Sequence, residues 1–171
     1  MRTLRILPAI LFASALPALA AEDPPKLAQP DDVNFVKEAS MGNMTEVALG
    51  RLAVEKSSDP QVKKFGQQMI DDHTKAQEAL RSAATKEGLS GGLPGSLDQK
   101  HDQVVEKFRN LSGAEFDRAY KEDMLKDHQE DVAAFQKQAA LGSTPLQKYA
   151  ADTLPTLQHH LKMAQEMNAS K

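Results

Sequence analysis

The chain has no cysteine and no tryptophan, and aromatic side chains make up only 5% of its 171 residues. Without thiols there is no disulfide framework, thiolate zinc finger, iron–sulfur cluster or cysteine nucleophile. Positive charge is also short, since 21 Lys and Arg face 24 Asp and Glu for a formal net charge of −3. No basic stripe is available to displace counterions from a phosphate backbone, which argues against nucleic acid as a partner. Alternating β-branched and aromatic residues are scarce, so strand patterns are few. Beyond residue 21 no apolar run approaches the roughly 18 residues of a transmembrane helix.

What is present begins with an export signal. Met1 to Arg5 is a short basic start, Ile6 to Leu16 an apolar run, and Ala18-Leu19-Ala20 supplies the small residues that precede signal-peptidase cleavage. Residues 1–20 are therefore expected to be a signal peptide, cut after Ala20. Its loss removes Arg2 and Arg5 and no acid, leaving the chain more acidic by two charges. No lipobox cysteine follows. The expected address is the periplasm, with outer-membrane association open and no membrane insertion after cleavage. Residues 21–30, with three prolines, read as a disordered leader.

The remainder, residues 31–168, reads as one helical domain, able to bury about two-thirds of its surface. A first helix is expected from Asp31 or Asp32 to Lys56. Asp59-Pro60 then caps a second helix reaching about Glu87, with Gly88 as its stop. A Gly/Ser/Pro loop leads to a connector helix over Leu97–Asn110, capped by Ser96. Ser112-Gly113-Ala114-Glu115 has capping-box spacing and opens a helix ending near Leu141. Ser143-Thr144-Pro145 starts the last, which runs to about Met167 and contains Pro155. Four helices of about 25 residues, each near 38 Å long, with one short connector between the second and third, define an all-α four-helix bundle. The connector permits either an up-down-up-down order or a long crossover.

Two helices echo one another at a spacing of 55 residues: Phe65, Met69, Asp72 and His73 match Tyr120, Met124, Asp127 and His128. Each long helix also carries one ionisable residue within its apolar stripe. Glu46 lies in the stripe Phe35, Ala39, Gly42, Leu49, Ala53, while His73, His128 and His160 interrupt the other three. Counted from the reversals, Glu46 pairs in height with His73, and His128 with His160, each within about one turn of roughly 5 Å. Both pairs fall at mid-bundle in either topology.

Burying these groups singly would cost about 1–3 kcal/mol for each unsatisfied atom. Grouped, they form either a metal site or a structural hydrogen-bonded network. Three imidazoles and a carboxylate suit zinc or copper, with Asp72 and Asp127, each beside a His, as acceptors that orient the rings. Met69 and Met124 read as core residues, with copper ligation as the sharper alternative. His159 and His101 read as solvated. A hydrolytic use, with Glu46 as base beside three His ligands, would need an open coordination position. The sequence offers no Ser-His-Asp set or phosphate loop, so enzymatic function is the weaker reading.

Glu46-Val47-Ala48-Leu49-Gly50, Met69-Ile70-Asp71-Asp72-His73, Phe116-Asp117 with Asp127-His128, and Leu154-Pro155 with His160-Leu161 resemble a family of secreted bacterial proteins. It is catalogued as domain of unknown function 4142 and often labelled an outer-membrane protein. The resemblance spans residues 31–167. It implies a ferritin-like four-helix bundle and no settled activity, and it places Glu46, His73, His128 and His160 on the family's recurring polar positions. Ferritin-like proteins often hold two irons with Glu-x-x-His pairs. This chain has none, and few core carboxylates are evident, which argues against a di-iron centre. The function expected is metal binding in envelope stress or metal homeostasis, or else a metal-free structural role in the same compartment.

Overall fold

The computed structural model describes residues 30–169. The expected signal peptide (1–20) and residues 21–29 of the expected leader lie outside the described residues. Pro30, assigned to the leader by sequence, instead opens the first helix, a position where its missing N–H costs nothing. The elements are α1 (Pro30–Lys56), α2 (Pro60–Lys86), a 3-10 turn (Ser90–Gly92), α3 (Gln99–Arg109), α4 (Gly113–Ala139) and α5 (Pro145–Ala169). No strand occurs among the described residues.

The caps explain most boundaries. Asp59 accepts from the Gln61 amide at 2.8 Å, with Pro60 behind it at the first helical position. At the other end of α2, Gly88 takes φ +71°. There the Leu89 amide reaches back to Ala84 O at 2.7 Å and the Gly88 amide to Thr85 O at 3.2 Å, closing the helix in a Schellman motif. The connector helix is shorter than expected, because Asp98 and not Ser96 caps it, accepting from the His101 amide at 3.1 Å. Ser112 makes no side-chain capping bond, so its capping-box spacing goes unused. Gly113 opens α4 at φ +56°, outside the right-handed helical range. α5 runs unbroken through Pro155.

Contacts at the ends of the bundle set the chain direction. Near the α1–α2 turn, Lys56 Nζ donates to Leu111 O at 3.1 Å, and Lys121 of α4 pairs with Asp59 at 2.7 Å. At the opposite end, Gln138 of α4 donates to Asp32 of α1 at 2.9 Å, and the Leu146 amide donates to Glu87. The segment carrying α3 therefore travels the length of the bundle, and α2 and α4 run in the same direction. This is the long-crossover arrangement, the topology of ferritin-like bundles.

α1 with α2, and α4 with α5, form two tightly packed hairpins; α2 meets α5 across a smaller seam, and α1 meets α4 only sparingly. The α1–α2 seam is close enough to require glycine. A Cβ on Gly50 would lie 2.6 Å from Gly66 O, and one on Gly66 would lie 2.8 Å from Gly50 O.

The core is split in two. One apolar cluster, including Leu49, Phe65, Met69, Phe108, Tyr120 and Met124, fills the end near the α1–α2 turn. The other, including Val36, Leu80, Phe135, Leu146 and Leu157, fills the far end. Two of the pairs echoed at 55-residue spacing meet across the bundle, Phe65 and Tyr120 with rings 6.1 Å apart and His73 and His128 with rings 5.9 Å apart.

Candidate metal centre

Between the two apolar clusters lies a polar layer built from one residue of each long helix. Glu46 is 1% exposed, His73 3%, and His128 and His160 are fully buried. The three imidazoles form one group, their ring centroids 5.3 to 5.9 Å apart. One ligand-type nitrogen from each lies within 4.8 Å of the others.

Hydrogen bonds fix which nitrogen of each ring carries the proton. His128 Nδ1 lies 2.9 Å from Met124 O, which can only accept, so Nδ1 is the N–H. His160 Nε2 likewise donates to Asp72 Oδ2 at 3.0 Å. His73 Nδ1 donates to Asn43 Oδ1 at 2.9 Å, and Asn43 Nδ2 donates in turn toward Gln77 and Tyr149, which sets the amide orientation. The bare lone pairs are then His73 Nε2, His128 Nε2 and His160 Nδ1, and all three atoms are buried without a hydrogen-bond partner.

Burial also keeps the rings neutral. Desolvation, followed by the neighbouring His128 and His160, holds His73 well below the ordinary imidazole range. Desolvation lowers His128 as well. It brings His160 down to about 4 against the opposing pull of Asp72. Neutral imidazoles with oriented, unshared lone pairs are the form in which histidine ligates a metal.

Glu46 belongs to a second group. A carboxylate oxygen each from Glu46 and Asp127, and a ring nitrogen of His128, lie within 4.8 Å of one another. The four residues singled out by sequence thus resolve into two clusters that share His128. Desolvation, and then the Asp127 charge, push Glu46 well above the carboxylate range. A side-chain hydrogen bond with Asp127 adds to this upward shift. Its second oxygen, Oε2, is buried without a partner. Asp131 is likewise raised well above its usual value, by burial and then by Asp127 and Glu130.

The oriented acceptors differ from those expected. Asp72, beside His73 in sequence, holds His160 of α5, and Asp127, beside His128, holds Glu46 of α1. Consecutive helical positions point about 100° apart, so each Asp turns toward the neighbouring helix instead of its neighbour in sequence. Asn43 was not evident from sequence, although it sits one turn before Glu46 and is 5% exposed. Met69 and Met124 are core residues in the apolar cluster, and Met124 contributes only its carbonyl. His159 is exposed, as expected. His101 is not solvated, its ring half-buried and bonded to Asp98 at 2.6 Å.

Fold and site together define an α-helical bundle with a buried histidine layer. The chain belongs to the family described as Domain of unknown function (DUF4142), which it matches over residues 16–167. Among solved structures it is similar to a DUF305 fragment from Deinococcus radiodurans, with a TM-score of 0.69. That likeness covers 84% of this chain and 97% of the other at 15% identity, and it concerns the fold. No curated protein matches.

Proposed function

We propose that this protein is an exported metal-binding bundle that takes zinc or copper on His73, His128 and His160, with Glu46 alongside, in envelope stress or metal homeostasis. The observation carrying this reading is the set of three buried ring nitrogens left without partners while the opposite nitrogen of every ring is held by an acceptor. A network serving only to set helix register would join these groups to one another; here the bonds run to Asn43, Met124 and Asp72, and the other ring nitrogens have no partner. Three imidazoles suit zinc and copper better than harder ions.

A second reading, a metal-free structural role in the same compartment, draws on the chain of bonds from Asn43 to Gln77 and on to Ser40 at 2.7 Å. One experiment separates the two. Metal-free protein is melted with and without zinc or copper(II). A ligand at a hundred times its Kd stabilises by about 2.7 kcal/mol, and His73→Ala and His160→Ala should remove that gain. If neither ion raises the midpoint of the unsubstituted protein, the metal-binding reading falls and the structural one stands.

A further inference from the structure

On the side of the polar layer away from His73, the sparing contact between α1 and α4 leaves a cavity of about 340 Å³. Glu46, Asp123, Asp127 and Asp131 stand in its wall. The three aspartates follow one another at four-residue spacing along α4, a row in which like charges repel and destabilise the helix. Basic residues also line the cavity but are outnumbered by its acids. Lys126, 77% exposed, pairs with Glu130 of the same wall at 3.8 Å and its charge also acts on Asp123, Lys100 is exposed, and the His101 ring is taken by Asp98. Two atoms are independent of this acidic row: Glu46, which lines the cavity from α1, keeps Oε2 buried without a partner, and His128, behind the wall and grouped with Glu46 and Asp127, keeps Nε2 buried without one.

We propose that this cavity is a second cation position, in which Glu46, Asp127 and His128 hold a divalent ion of the oxygen-preferring class represented by Mn2+, with Asp123 and Asp131 supplying further negative charge. Carboxylates select harder ions than imidazoles do, so the two clusters differ in the metal they favour. His128 has a single lone pair, so an ion in the cavity and an ion on the three histidines exclude one another. The proposal stands beside the zinc or copper reading and does not require it.

The test is titration of metal-free protein with Mn2+, followed by calorimetry and by the electron paramagnetic resonance of the bound ion. Removing even an outer partner of a metal ligand typically weakens binding by 10–100-fold. Glu46→Gln and Asp127→Asn should therefore each weaken Mn2+ by at least about tenfold, with helical content retained. His73→Ala should leave Mn2+ affinity within about threefold, because His73 lies outside this cluster. Saturating zinc should abolish Mn2+ binding. Absence of Mn2+ binding, equal binding by Glu46→Gln and Asp127→Asn, or simultaneous binding of both ions would overturn the proposal. Loss of zinc binding alone would strike only the function proposed above.

Discussion

His160 of α5 donates its Nε2 proton to Asp72 of α2 at 3.0 Å, a bond that crosses the seam between the two hairpins and leaves Nδ1 as the bare, buried lone pair. Burial pushes Asp72 up, but hydrogen bonds from Gln68 and His160 outweigh it and hold the carboxylate below its usual range. Asp72→Ala should free the ring and weaken zinc or copper by about 10–100-fold, with the melting of the metal-free protein changed far less. Calorimetric titration reads this directly, and an unchanged affinity would show that the ring needs no such support.

The neutral state of His160 carries a pH signature. Its value in the folded protein, about 4 against 6.5 for a free ring, means the unfolded chain binds the extra proton first. Stability is complete above pH 6.5 and drains away as pH falls toward 4, by on the order of 3 kcal/mol. Urea denaturation of metal-free protein and of His160→Gln across that window should show the unsubstituted protein losing its advantage with acid. A constant difference between them would mean that the ring is charged in the native state.

Glu46 behaves in the opposite sense. Its folded value is raised, so its contribution is intact below the ordinary carboxylate value of 4.5 and is lost as pH rises through the folded one. In metal-free protein, Glu46→Gln should be more stable than the parent at pH 8, and the gap should narrow toward pH 4.5. Denaturant midpoints at the two pH values decide it.

Backbone packing gives a prediction independent of any metal. Gly50→Ala or Gly66→Ala would drive a methyl into backbone of the facing helix and should cost about 1–3 kcal/mol. Gly42→Ala on the same helix meets nothing within 4 Å and should be neutral or stabilising by up to about 1 kcal/mol. Thermal melts of the three variants test this, and equal effects would contradict the close approach at the α1–α2 seam.

The helices and the inward direction of Glu46, His73, His128 and His160 were legible because burial and helical period act along a single segment. Partner choice was not, because it depends on how segments pack. Asp72 and Asp127 sit next to histidines in the chain, yet the 100° turn per residue delivers them to α5 and α1. The crossover was open for the same reason: nothing in residues 88–112 alone says at which end of the bundle α4 starts. The row Asp123, Asp127, Asp131 was a readable signal for the second cluster, since three like charges on one helical line need an explanation.

The division into two hairpins bears on what a bound ion would do. His73 sits on the first hairpin, whereas His128 and His160 sit on the second. An ion bound by all three would therefore rivet halves that touch least where α1 passes α4. Ion supply would then bear on how firmly the two hairpins hold together.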